Sequence, residues 1–133
     1  MEINNIADLT SKQLHEGTAE VWTLIAEPDE GSSISYFNDF YVHPSSGGVP
    51  LHNHNEEEIF YVLHGKGEME IEGEVRSISS GDAIYIPSRA MHGIRNPGGH
   101  PLRVVVVGVS PRAVPREMEQ RDVTYTTDAL QAR

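Results

Sequence analysis

The sequence predicts an all-β protein, a set of short antiparallel strands closed into a barrel or sandwich. Twelve glycines and eight prolines divide the 133 residues at close intervals, which suits strands joined by tight turns better than helices. Glu68, Met69, Glu70, Ile71 and Glu72 alternate polar and apolar, the period of a strand with one face in water. Leu102–Val109 is an apolar run, as expected of a strand buried on both faces or covered by another subunit.

Residues 1–19 read as an N-terminal extension. Ile6, Leu9 and Leu14 suit one side of a short helix, or a coil covering a barrel end. Strands begin at Glu20–Ala26, and Pro28-Asp29-Glu30-Gly31 forms a turn. Ile34–His43, rich in Tyr and Phe, is the next strand. Pro44–Pro50, with Ser-Ser-Gly-Gly, reads as a loop. Glu58–Leu63, Glu68–Glu72, Val75–Ile78, Ala83–Pro87, His92–Asn96 and Leu102–Val109 complete the barrel, with turns at His64–Gly67, Gly73-Glu74, Ser79–Asp82 and Pro97–Pro101. The barrel is expected over 20–110. Residues 111–133 form a C-terminal extension in which Val123–Thr127 is a candidate last strand.

A hydrophobic share of 38% in 133 residues supports one domain with a real core. The formal net charge of −10, with no basic patch, argues against nucleic acid and anionic membrane as partners. No apolar run approaches the roughly 20 residues that span a bilayer. Met1–Asn5 lacks the basic and apolar regions of a signal peptide, so a cytoplasmic location is the expectation. The absence of cysteine excludes disulfides and thiolate chemistry. A metal would be held by nitrogen and oxygen, which suits one divalent Fe, Mn, Ni, Co or Zn ion.

The chemistry-bearing residues fall in two clusters. In the first, His52 and His54 are two apart, so an extended strand points both imidazoles to one face. A carboxylate follows closely, with Glu56, Glu57 and Glu58 all in range. In the second cluster, His92 follows Gly81 and Pro87 and precedes Asn96. His92 has to arrive from a distant strand to join the others.

Together the clusters resemble the two motifs of the cupin superfamily. His52, His54, Glu58 and Gly65 fall on the first motif, with Gly47 standing one place from the position of its leading glycine. Gly81, Pro87, His92 and Asn96 fall on the second, with Arg89 where the family usually has another glycine. The resemblance implies a double-stranded β-helix (jelly-roll) barrel. It also implies a metal held by His52, His54, Glu58 and His92, and it selects Glu58 from the three glutamates. Such a site on a six-coordinate ion leaves positions open for substrate, water or O₂.

On the period-two rule Phe60 and Val62 share the face of Glu58 and are expected to line the cavity and touch substrate. Arg103 is a candidate grip for a substrate carboxylate, with a surface salt bridge as the plainer reading. His43 and Tyr41 are the candidate acid–base residues. Tyr36 and Tyr41 have opposite parity, so at most one faces the interior. His15 receives no role, and Asn96 is read as fixing the Asn96-Pro97-Gly98 turn. The cavity is expected to open near His52 and the Pro44–Pro50 segment.

The resemblance implies a metal-dependent enzyme acting on a small molecule. The reaction is either dioxygenation or Lewis-acid chemistry of the lyase, cyclase or isomerase type, as in dimethylsulfoniopropionate lyases and cupin polyketide cyclases. The alternative is a non-catalytic small-molecule-binding module. A homodimer is expected, because the apolar edge of Leu102–Val109 invites pairing with another chain.

Overall fold

In the computed structural model, residues 1–111 are described. Ten strands follow in order: β1 (Lys12–Leu14), β2 (Ala19–Ala26), β3 (Ile34–Val42), β4 (Ser46–His52), β5 (Glu57–His64), β6 (Lys66–Ile71), β7 (Glu74–Ser79), β8 (Ala83–Ile86), β9 (His92–Asn96) and β10 (Leu102–Val109). Every pairing is antiparallel. One sheet has the order β1-β2-β3-β10-β5-β8, and a second has β4-β9-β6-β7. The expected candidate strand Val123–Thr127 and the rest of 112–133 lie outside the described residues. Among the described residues no helix is long and apolar enough to cross a membrane.

Alternation along the strands builds the interior. In β5, Glu58, Phe60 and Val62 are buried while Ile59, Tyr61 and Leu63 are exposed. In β10, Leu102, Val104, Val106 and Gly108 point inward. The core gathers Val42, Val62, Ile86, Ile94, Leu102 and Val104, all at 2% exposure or less.

The N-terminal expectation is refined and two others change. The N-terminal residues form two short 3₁₀ turns, Ile6–Asp8 and His15–Gly17, and between them β1 adds to the edge of β2. Pro44–Pro50 is mostly strand, because it belongs to β4 from Ser46 onward. Pairing with β9 overrides the local Ser, Gly and Pro signals, and β4 is an edge strand, where proline is tolerated. Finally, β10 is hydrogen-bonded on both sides, to β3 and to β5. It is a central strand, so the unpaired edge from which a dimer was inferred does not exist.

Candidate metal centre

The site lies between the two sheets, at the ends of strands. His52 ends β4 and stands directly opposite His92, the first residue of β9. His54 lies just beyond β4, in the connection to β5, and is fixed from the other cluster. The Arg89 N–H donates to the His54 carbonyl at 2.8 Å, and the Ser88 hydroxyl donates to the Asn55 carbonyl at 2.6 Å. Arg89, at the position usually held by glycine, takes the left-handed conformation itself, with φ 64°. Glu58 reaches in from β5 on the opposite sheet.

Ring centroids are 4.4 Å apart for His52 and His92, 4.8 Å for His54 and His92, and 5.5 Å for His52 and His54. The three possible ligand nitrogens lie within 4.8 Å of one another. Glu58 Oε1 is 3.0 Å from His54 Nε2 and 3.2 Å from His92 Nε2.

Each ring is oriented by its other nitrogen. Nδ1 of His52, His54 and His92 faces the carbonyls of Pro50, Glu56 and Ala90 at 2.8, 3.1 and 2.8 Å. A carbonyl only accepts, so each Nδ1 carries the hydrogen and each neutral ring presents an Nε2 lone pair. Three lone pairs therefore gather, and a carboxylate oxygen lies beside those of His54 and His92. His92 Nε2 is buried and, despite its nearness to Glu58, meets no properly oriented hydrogen-bond partner. Facing lone pairs repel unless a proton or a cation lies between them. The donor set, all nitrogen and oxygen with backbone-pinned histidines, fits a divalent transition metal.

The electrostatics differ from group to group. Burial pulls His92 down, but the Glu58 carboxylate and the Ala90 carbonyl outweigh it and hold His92 above the ordinary histidine value. Burial pushes Glu58 up, yet His92 and the Tyr36 hydroxyl together hold it below the usual carboxylate range. His52 is lowered, chiefly by burial.

Tyr36 donates from its hydroxyl to Glu58 Oε2 at 2.6 Å. Burial first, and then Glu58, push its own ionisation far up, so it stays a donor. Tyr36 is on β3 and Glu58 on β5, with Gly108 of β10 between them in register. The ring crosses over Gly108, where an added Cβ would lie 2.2 Å from it. Sequence parity offered Tyr36 or Tyr41 as the inward residue, but nothing marked Gly108 as the space Tyr36 needs.

Beside the histidines is a cavity of about 200 Å³. Phe60, Phe40, Val49, Met69 and Val106 form much of its wall, with Asn38 among them. Phe60 is where its parity put it. Val62 also faces inward but lies deeper in the core, below the cavity. His15, which receives no role from the sequence, is exposed and lines the cavity with Leu14.

The other candidates face away. Arg103 makes a two-pronged pair with Asp39, at 3.0 and 2.5 Å, and stands 5.8 Å over the Tyr41 ring. It points outward because its strand neighbours Leu102 and Val104 take the interior. Tyr41 packs edge-on against Trp22, outside the cavity. His43 is turned to Glu20, 3.0 Å away, and its N–H donates to the Thr18 carbonyl. Asn96 is fully buried. Its Oδ1 accepts from the Gly98 N–H, and its amide nitrogen donates to the Val42 and His100 carbonyls, so it fixes the turn.

With the fold and the two histidine clusters in place, comparison with known proteins is decisive. The cupin domain family (Cupin_2) matches residues 38–108, more than half of the chain. The chain belongs to the cupin family. This cupin is 40% identical over 69 residues to an uncharacterised protein of Methanocaldococcus jannaschii, covering 51% of this chain and 55% of that one. It thus spans about half the length of that relative. An uncharacterised Aquifex aeolicus protein is 38% identical over 96 residues, covering 71% of this chain and 74% of its own. Among solved structures, a predicted oxalate decarboxylase of Thermotoga maritima superposes with TM-score 0.75 at 25% identity, covering 83% of this cupin and all of its own chain. The polyketide cyclase RemF of Streptomyces resistomycificus superposes with TM-score 0.70 at 27% identity, covering 96% and 89%.

Proposed function

We propose that this cupin is a metal-dependent enzyme acting on a small organic molecule, with His52, His54, His92 and Glu58 as the metal ligands. The observation that carries this reading is the gathering of three backbone-pinned Nε2 lone pairs, two of them beside a buried carboxylate oxygen. A divalent metal bound there would supply Lewis acidity toward a substrate oxygen, or a place for O₂. We favour the Lewis-acid type, lyase, cyclase or isomerase, because the likeness to the polyketide cyclase RemF extends over 96% of the chain.

The protein's own residues would do the rest. Tyr36 holds Glu58 in one orientation by its short hydrogen bond. The carbonyls of Pro50, Glu56 and Ala90 fix the imidazole tautomers. Phe60, Phe40, Val49 and Met69 receive an apolar substrate body and keep water from it.

Metal analysis of protein purified without a chelating tag tests this reading. About one equivalent of a transition metal is expected, and His52→Ala or His92→Ala should lose it with the far-ultraviolet circular dichroism unchanged. Wild-type protein that retains no Fe, Mn, Ni, Co or Zn after incubation with each would end the reading. Oxygen uptake during turnover would favour dioxygenation. Undiminished ligand binding by the metal-free protein would favour a non-catalytic binding module.

We also propose a homodimer, through a surface other than the edge of β10. The outer face of the six-stranded sheet exposes Ile59, Tyr61, Leu63 and Tyr85 at 49, 47, 39 and 55%. Arg103 and Asp39 on that face neutralise each other. On a chain of net charge −10, it is a surface that a second copy can approach without strong repulsion.

A further inference from the structure

Asn38 lies on the inner face of β3, in the cavity wall. Its register places it opposite Val106, which is opposite Phe60. That row lies two residues, roughly 7 Å along the strands, from the row that carries Tyr36, Gly108 and Glu58. On one side the row continues with the apolar Val106, Phe60 and Ile84, and on the other Thr23 of β2 stands beside Asn38. Asn38 Oδ1 is nevertheless buried and meets no hydrogen-bond partner among the described residues. A buried amide oxygen without a partner is unfavourable, and native structures rarely keep one without a use for it. Tyr36, the other polar group on this wall, is already committed to Glu58. The described cavity lining contains no lysine or arginine, since Arg103 is paired outside.

Building on the metal-centre reading, we infer that Asn38 is the second polar anchor of the substrate, and that the substrate is a neutral hydroxy or keto compound. Its metal-directed oxygens face the histidines, its apolar body lies against Phe60 and Val106, and a further hydroxyl or carbonyl meets the Asn38 amide. An amide both donates and accepts, so it serves either group. It offers no charge to offset the desolvation of a second carboxylate, so a small dianion such as oxalate is a poor match. The small cavity sets the size, because about 200 Å³ lies below the roughly 300–1,000 Å³ of pockets for drug-sized ligands.

The test uses cobalt(II)-loaded full-length protein, whose visible bands report ligands at the metal, titrated with matched catechols. In 3- and 4-methylcatechol nothing polar reaches beyond the metal end. The 3- and 4-(hydroxymethyl)catechols add one hydroxyl, and 3,4-dihydroxybenzoate adds a charge. One hydroxymethyl isomer should bind roughly three- to tenfold tighter than its methyl partner, the worth of one neutral hydrogen bond. Asn38→Ala and Asn38→Leu should erase that preference while cobalt content stays as in the wild type. The benzoate should gain nothing. With cobalt bound, the inference is overturned if neither isomer is preferred, if the preference survives in both variants, or if the benzoate binds tightest. Wild-type protein that takes up no cobalt at all would instead remove the metal-centre reading, and this inference with it.

Discussion

The two faces of the six-stranded sheet are made by the same strands and have different chemistry. Inward, β3, β10 and β5 present Tyr36, Asn38, Gly108, Glu58 and Phe60, a polar end next to an apolar wall. Outward, they present Asp39, Tyr41, Arg103, Ile59 and Tyr61. Residues that differ by one position in sequence are therefore separated by the thickness of the sheet. The difference teaches that attractive chemistry does not place a side chain. Arg103 and Tyr41 look like substrate-binding groups, but their parity turns them outward, where they hold Asp39 and Trp22. Inside, a residue with no chemistry at all, Gly108, decides whether Tyr36 reaches Glu58.

The sharpest way to break this contrast is to fill that gap. Gly108→Ala should push the Tyr36 ring from its place and release Glu58, and Tyr36→Phe should remove only the hydroxyl. Loss of such a supporting hydrogen bond typically lowers metal affinity or activity by about 10–100-fold. Both variants should show it, measured by competition with a chromophoric chelator. If Gly108→Ala binds metal like the wild type, Tyr36 does not support the site.

Acidity offers a second test of the inner face. In the metal-free protein His92 is raised above its ordinary 6.5, so its stabilising contribution is full below that value and is lost as pH rises through the raised value. Glu58 is held below its ordinary 4.5, so its contribution is present above that value and is lost as pH falls through the depressed one. The pair thus helps the metal-free fold most between about pH 4.5 and 6.5. Metal requires neutral imidazoles, so its stabilisation grows in the opposite direction, as pH rises. Melting temperatures with and without metal should diverge from about pH 6 to about pH 8. A constant gap across that range would show that no ligand proton is displaced.

A paired substitution compares the faces directly. Arg103→Ala leaves the nearly buried Asp39 carboxylate unpaired. It should destabilise the fold by about 1–3 kcal/mol, less than a fully buried pair because the Arg103 side chain is 36% exposed. Metal content and ligand affinity should not change. Phe60→Ala should do the reverse at the site, altering ligand affinity or selectivity while metal is retained. Denaturant melts and ligand titrations on both variants check this, and a changed ligand affinity in Arg103→Ala would blur the division between the faces.

Much of this arrangement is readable in the sequence. The alternation of Glu58, Phe60 and Val62 with Ile59, Tyr61 and Leu63 predicts the faces of β5. The two histidine clusters predict which segments meet, although β4 ends at His52 and His54 owes its place to Arg89 and Ser88. What is not readable depends on register between distant strands. No local signal pairs Gly108 with both Tyr36 and Glu58, or turns Asn38 toward Phe60. His15 is in the cavity only because β1 pairs with β2, a contact that a three-residue strand hardly announces. The apolar run of β10 was compatible with an interface or a sheet centre, and only the pairing to β3 and β5 decides between them.

The smallest effect expected at the site belongs to the outer face. Ile59 and Tyr85 are cross-strand partners there, and Tyr61 pairs with Ala83 and Val105. These side chains form an apolar patch bordered by the Glu57 carboxylate, which accepts from the Tyr85 hydroxyl. If a second copy covers it, light scattering at micromolar concentration should give twice the chain mass of 14.7 kDa. Tyr61→Glu should bring that mass down to one chain, because it places a like charge on both sides of a symmetric contact. Tyr61 and the metal ligands lie on opposite sides of the sheet, so metal content and catechol affinity should be unchanged in the variant. A single-chain mass for the wild type would remove the dimer. A Tyr61→Glu variant that dissociates and also loses metal would show that the two faces are coupled through β5, and the separation drawn between them would fail.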